Sequence, residues 1–254
     1  MKNPSNIIIT GASSGIGKAL AIKYSQNCHN LLIVGRNEDR LNLARNLCNL
    51  KCNVQISATD VTNFQKIKNT IYQFDKQYPI DLIIANAGIS AGSGNAGENI
   101  DQLKKIYDTN IYGVINCIYP AIEKMTKRQS GQIAIMSSMS AFTPIPTAPA
   151  YSSSKQCVSF IGHALRHSLV KHNIKLSVIY PGFVETPMTD KNKFIMPFIM
   201  KPEIAVDKII TGLQKNKAKI IFPKIFYLMT LALNIMPDKI QRYMFNKAPA
   251  KDSL

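Results

Sequence analysis

Short apolar runs alternate with longer segments of helical period along most of the chain. Ile7-Ile8-Ile9 ends at Thr10, and glycines then lead into an apolar-periodic helix over about 15–27. Leu31-Leu32-Ile33-Val34 is the next run, and Asn37 stands where it can cap a helix reaching about residue 50. A third strand is expected over 54–58. Thr62-Asn63-Phe64-Gln65 has the form of a capping box, with Thr62 opening the following helix. Strands are then expected at 81–85, 132–137 and 175–180, with helices over 99–127 and 151–171 between them. A last strand begins at Lys219-Ile220-Ile221-Phe222. The strands are continuously apolar rather than alternating, as strands covered on both faces are. The pattern predicts an α/β fold, a doubly wound parallel sheet of about seven strands joined by right-handed crossovers, in one domain over 1–254. No internal repeat or low-complexity linker breaks it.

A chain of 254 residues, 46% apolar and 18% charged, has the composition of a folded domain rather than a disordered one. The start lacks a signal-peptide apolar segment, and no apolar run reaches the length of a membrane span. The five cysteines are scattered and odd in number, without paired metal-ligand spacing, so no metal is expected and the compartment reads as the reducing cytoplasm. The net charge of +16 is spread along the chain. It suits a solvated lysine-rich surface and anionic ligands, or attraction to an anionic membrane. No nucleic-acid motif accompanies it, and nucleic-acid binding is not expected.

Chemistry enters first at Thr10-Gly11-Ala12-Ser13-Ser14-Gly15-Ile16-Gly17, between a strand and a helix. That is the setting of a Rossmann dinucleotide loop: Gly11 permits a tight turn, Gly15 a close approach of backbone to pyrophosphate, and Gly17 close packing of helix on sheet. The helix start adds free N–H groups and a positive dipole end. At the end of the second strand stands Gly35-Arg36, where NAD enzymes usually carry an acid for the ribose 2′-hydroxyl. A guanidinium there can pair with a 2′-phosphate, so NADP(H) is expected as the preferred cofactor and NAD(H) as the second choice. Glu38 and Asp39 lie close by and weigh the other way.

The second constellation is Ser138, Tyr151 and Lys155. Tyr151 and Lys155 are four apart and share a helix face, while Ser138 follows an apolar strand. Reduction of a carbonyl needs a hydride and a proton. A free phenol, with a pKa of about 10, needs a neighbouring cation such as Lys155 to act near neutral pH. Tyr151 is thus the candidate general acid/base. Lys155 tunes it and binds the nicotinamide ribose, and the Ser138 hydroxyl holds the substrate oxygen. His163, His167 and His172 are expected to be structural or solvent-facing.

Taken together, these residues resemble the short-chain dehydrogenase/reductase family over about residues 6–190. Asn86-Ala87-Gly88 is similar to the family's Asn-Ala-Gly turn, Asp60-Val61 to the pair bordering the adenine, and Asn110 to the fourth member of the catalytic tetrad. Pro181-Gly182-Phe183-Val184-Glu185-Thr186 is similar to the segment whose Thr and preceding backbone hold the nicotinamide carboxamide. The resemblance implies cofactor contacts from Gly11, Ser13, Ser14, Gly15, Ile16, Gly17, Arg36, Asp60, Val61, Asn86, Ala87, Gly88, Tyr151, Lys155, Pro181, Gly182, Val184 and Thr186. It further implies a water held by Asn110 that links Lys155 to solvent, a lid over about 187–201, and a homodimer or homotetramer built on the helices 99–127 and 151–171.

The tail departs from that pattern. From Ile225 to Met236 the chain is nearly all apolar, with Thr230, Asn234 and Asp238 as a narrow polar stripe, and the segment 224–247 is expected as a helical extension buried nearly all round. It could pack on its own or a partner chain and extend the pocket, make oligomer contacts, or lie peripherally in a membrane surface helped by Lys215, Lys217, Lys219 and Lys224. The resulting expectation is an oxidoreductase moving hydride between NADP(H) and an apolar carbonyl or secondary alcohol. The alternative is a dinucleotide-binding regulatory or scaffold protein on the same fold.

Overall fold

Seven parallel strands form one sheet in the order β3-β2-β1-β4-β5-β6-β7: β1 (Asn6–Thr10), β2 (Asn30–Gly35), β3 (Asn53–Ala58), β4 (Leu82–Ala85), β5 (Gly131–Met136), β6 (Ile174–Pro181) and β7 (Lys219–Phe222). The computed structural model describes residues 3–92, 97–190, 192 and 194–246. Ile7 pairs with Leu31 on one side and Leu82 on the other, so β1 is central and the strand order reverses beside it. The carboxyl ends of β1 and β4 therefore diverge into a crevice, the place where open α/β sheets bind ligands.

Both faces of the sheet are covered, which explains the unbroken apolar strands. Ile7 and Ile9 point to one core with Leu31, Ile33, Leu82 and Ile84, closed by α1 (Gly15–Tyr24), α2 (Glu38–Asn46) and α7 (Pro202–Gln214). Ile8 points to the other with Leu32, Val34 and Ile83, closed by α3 (Phe64–Gln77), α5 (Gly113–Arg128) and α6 (Pro149–Leu169). The two-residue period of a strand thus divides one isoleucine triplet between two cores. Arg128 at the end of α5 clamps α3: its Nη1 donates to both carboxylate oxygens of Asp75 at 2.8 and 2.9 Å, and Nη2 to the Ile80 carbonyl at 3.1 Å. All five cysteines are free, and Cys28 and Cys52 meet with their Sγ atoms 3.1 Å apart, a proximity their spacing in the chain conceals.

Local predictions are met unevenly. Asn37 caps α2 by accepting from the Arg40 N–H at 2.8 Å, but the helix stops at Asn46. The capping box is displaced by one residue. Asn63 is the cap of α3, accepting from the Lys66 N–H at 3.0 Å, while the Thr62 hydroxyl donates to Asp60 Oδ1 at 2.9 Å. The helix expected over 99–127 is α4 (Ile100–Tyr107) and α5 joined through a π-helical turn at Asp108–Tyr112.

The C-terminal segment corrects the sequence reading most. It forms α8 (Lys224–Asn234) and α9 (Asp238–Asn246), and in α8 only Thr230 is buried. Two members of the polar stripe, Thr230 and Asn234, lie on the inward side of α8, while Asp238 in α9 is exposed and paired with Arg242. Thr143 Oγ1 donates to Asn234 Oδ1 at 3.0 Å, and the Asn234 amide donates to the Phe142 carbonyl. Phe142 packs on Tyr227 at 4.7 Å between ring centres, and Phe226 stacks on Phe183 at 5.7 Å. Ile225, Leu228, Met229 and Leu231 are left exposed. The segment packs on its own chain by one side only, because its inward neighbours offer main-chain and hydroxyl partners that match the polar stripe.

Candidate active site

A cavity of about 720 Å3 runs along the carboxyl ends of the strands, and every candidate residue named from the sequence lines it except Asn110. The turn after β1 forms one wall. Gly11 has φ +65, and a Cβ there would lie 2.7 Å from Ala87 Cα; a Cβ on Gly17 would lie 2.3 Å from the Gly11 carbonyl oxygen. The turn is therefore closed down on the residues after β4. Asn86 ties it there by donating from Nδ2 to the carbonyls of Thr10 at 2.9 Å and Gly11 at 3.1 Å. Asn86 thus braces the loop as well as lining the cavity. Helix α1 starts without a side-chain cap and without an acid in its first turn, so Gly15, Ile16 and Gly17 present helix N–H groups where an anion meets no repulsion.

Beside this turn lie Gly35 and Arg36. The Arg36 guanidinium is 4.0 Å from Asp60 Oδ2, and its side chain is 60% exposed, so the contact leaves it available to a ligand. Asp60 is engaged elsewhere, accepting from the N–H and hydroxyl of Thr62, both at 2.9 Å. Arg40 lines the cavity too, one helical turn after Arg36. Sequence reasoning passed over it, although its place in the first turn of α2 was the available signal.

At the other end of the cavity stand Ser138, Tyr151 and Lys155. The hydroxyl of the neighbouring Ser137 is buried on Ser159 Oγ at 2.7 Å and the Lys155 carbonyl at 2.9 Å. The Ser138 hydroxyl instead bonds the Tyr151 phenol. Burial raises the Tyr151 pKa, and the bond from Ser138 works against that rise. Lys155 Nζ donates to the Met136 carbonyl at 3.0 Å and lies 5.8 Å from the centre of the Tyr151 ring. Burial brings the Lys155 pKa down to about 8, so at neutral pH it remains mostly a cation.

Asn110 is fully buried behind this group rather than on the cavity wall. Its Oδ1 accepts from the Ile89 N–H at 2.8 Å, and its Nδ2 donates to the Ile89 carbonyl at 2.9 Å and to Ser154 Oγ at 3.0 Å. The π-helical turn lets the side chain reach the strand β4 extension and α6 at once. A Cβ on Gly88 would lie 3.2 Å from both Asn110 Oδ1 and Lys155 Nζ, so Gly88 is the point where the two approach.

The lid expected over 187–201 contributes Pro187, Met188, Phe194, Ile195 and Pro197 to the cavity, in turns rather than a helix. Its ends are stapled: the Met200 N–H donates to the Phe183 carbonyl at 3.1 Å, and the Glu185 N–H to the Met200 carbonyl at 3.0 Å. Thr186, before the lid, sits under Gly15, where a Cβ would lie 3.1 Å from its Cγ2. Phe226, Thr230, Leu233 and Phe245 complete the outer wall from the C-terminal helices, positions no motif had marked. Among the described residues no cluster of His, Cys, Asp and Glu could hold a metal.

The family model for short chain dehydrogenases matches residues 5–194. An oxidoreductase of Staphylococcus epidermidis is 35% identical over 188 residues, covering 74% of this chain and 81% of its own length. One from Myxococcus xanthus is 28% identical over 235 residues, covering 92% and 93%. Among solved structures, a short-chain dehydrogenase from Sphingobium yanoikuyae in complex with NADPH superposes with a TM-score of 0.80 at 20% identity, covering 96% of each chain. One from Mycobacterium paratuberculosis bound to NAD gives 0.76 at 21% identity, covering 86% of this chain and 96% of its own. The chain belongs to the short-chain dehydrogenase family and is an NAD(P)-dependent oxidoreductase of that kind.

Proposed function

We propose that the protein transfers hydride between NADP(H) and an apolar carbonyl or secondary alcohol, with Tyr151 as general acid/base. The observation that carries this reading is a single cavity with Arg36 and Arg40 at one end and the Ser138–Tyr151–Lys155 group at the other. The turn at Gly11–Gly17 and the uncapped start of α1 fit a pyrophosphate, and the guanidinium groups fit a 2′-phosphate. A bound nicotinamide supplies or accepts the hydride.

The protein's own groups handle the proton. In the reducing direction the Tyr151 O–H donates to the substrate oxygen, and the phenolate left behind is stabilised by the Ser138 hydroxyl and the Lys155 ammonium. Burial favours the protonated phenol beforehand, the form needed for that donation. In the oxidising direction the same group receives the proton. Thr186 and the backbone of Pro181–Val184 are suited to hold the carboxamide. Phe194, Ile195, Phe226 and Leu233 make the substrate side of the cavity apolar. Exposed Phe160, Tyr112 and Tyr119 on α6, the π-helical turn and α5 support a homodimer or homotetramer joined through those helices.

The test is oxidation of NADPH and NADH, followed by nicotinamide absorbance, against a panel of aldehydes, ketones, diketones and β-ketoacyl thioesters. Turnover is expected to favour NADPH and to vanish in Tyr151→Phe while cofactor binding persists. Comparable KM values for the two cofactors would overturn the NADP(H) assignment, and substantial turnover by Tyr151→Phe would overturn the role of Tyr151.

A further inference from the structure

We propose that the outer face of α8 and α9 seats the protein on an anionic lipid surface. The polarity of α8 is turned inside out relative to a solvent-facing helix. Thr230 is buried, its carbonyl accepting from Thr143 Oγ1, and the Asn234 amide bonds Thr143 and Phe142, whereas Ile225, Leu228, Met229 and Leu231 face outward and are 39–59% exposed. Ile235, just beyond the helix, is 86% exposed. Apart from Lys224 and the inward-bonded Asn234, every exposed position of α8 is apolar. Water gains nothing from such a face, and a contiguous apolar surface of this kind marks a contact site.

Charge selects the occupant. Lys224 opens α8, and α9 carries Lys239 and Arg242 against a single carboxylate, Asp238. That carboxylate is already paired with Arg242 at 2.7 Å. A second copy meeting the same face would set these cations against their like, within a chain of net charge +16. A surface of anionic headgroups meets the lysines with opposite charge and takes the apolar side chains between its acyl chains. The helices lie on such a surface rather than cross it: α8 has 11 residues and α9 has 9, and among the described residues no helix is long and apolar enough to span.

The test is sedimentation of the full chain with vesicles of phosphatidylglycerol and phosphatidylcholine, and with vesicles of phosphatidylcholine alone, at low and high salt. Retention is expected on the mixed vesicles at low salt, falling with added salt. It should weaken by about tenfold in Leu228→Ser/Ile235→Ser and in Lys224→Glu/Lys239→Glu. None of these four side chains lines the cavity, so melting temperature and cofactor binding should stay at wild-type values. Three results would overturn the proposal. One is no retention on mixed vesicles, and another is undiminished retention of Leu228→Ser/Ile235→Ser. The third is a wild-type oligomer that Leu228→Ser/Ile235→Ser dissociates in the absence of vesicle binding, which would make a second copy the occupant.

Discussion

Lys155 Nζ rests on the Met136 carbonyl at 3.0 Å, at the carboxyl end of β5, and this single bond fixes the ammonium beside Tyr151. The position costs stability, because a buried cation gives up most of its hydration.

The cost has a pH signature. An unfolded lysine keeps its proton until about pH 10.4, whereas burial lowers the folded value to about 8. Below the folded value both states are protonated and the cost is carried in full. Between the two values the unfolded state binds more protons, so stability rises with pH. The rise attributable to Lys155 is about 3 kcal/mol at most. Urea unfolding at pH values from neutral to about 10 should show it as a gain present in the wild type and missing from Lys155→Met. Parallel profiles for the two proteins would mean that Lys155 is not desolvated.

Gly17 and Gly88 should separate folding from turnover. A methyl on Gly17 would press on the Gly11 carbonyl at 2.3 Å and on Asn86 Nδ2 at 2.5 Å, and a backbone neighbour cannot step aside. Gly17→Ala is expected to lower the melting temperature and weaken NADPH binding by about tenfold or more. A methyl on Gly88 meets two side-chain ends, Lys155 Nζ and Asn110 Oδ1, each at 3.2 Å, where shifts of a few tenths of an ångström suffice. Gly88→Ala should fold normally and lose chiefly kcat. Equal effects of the two substitutions on melting temperature would contradict this division.

Arg40 lies at the same end of the cavity as Arg36, the end proposed for the 2′-phosphate. Each guanidinium can add a charge-assisted hydrogen bond of about 1.5–3 kcal/mol to a phosphate. Arg36→Ala and Arg40→Ala should each raise the KM for NADPH by about tenfold and leave that for NADH within about twofold. If Arg40→Ala changes neither value, Arg40 does no more than face the cavity.

Features with local causes were legible in the sequence, and those with distant causes were not. The strands, the glycine turn and the Asn37 cap depend on neighbours a few residues away. The cap of α3 was misread because Thr62 and Asn63 compete for it, and Asp60 takes the Thr62 hydroxyl. The Asn110 motif was recognisable, but its seat in a π-helical turn depends on Ile89, 21 residues earlier, and on Ser154, 44 later. In α8 the nearly continuous apolar run was read as buried nearly all round, whereas only the side carrying Thr230 and Asn234 turns inward. Thr143 and the Phe142 carbonyl, 91 and 92 residues from Asn234, decide that.

The Asp75–Arg128 pair is a second contact of this distant kind, its partners 53 positions apart, and it should matter to stability more than a surface ion pair does. Asp75 is 9% exposed and Arg128 29%, so water screens the pair only in part. The carboxylate also accepts from the Ile80 N–H at 3.0 Å, and the guanidinium also donates to the Ile80 carbonyl. Removing one partner therefore strands a charge and a main-chain group together. Asp75→Ala is expected to cost about 2–4 kcal/mol in urea unfolding, whereas exposed pairs are worth about 0–1 kcal/mol. In Asp75→Leu/Arg128→Met both charges are gone, so part of that loss should return, leaving the Ile80 N–H and carbonyl without these partners as the remaining penalty. A cost below about 0.5 kcal/mol for Asp75→Ala would show that solvent reaches the clamp freely and that α3 and α5 are held by their apolar faces alone.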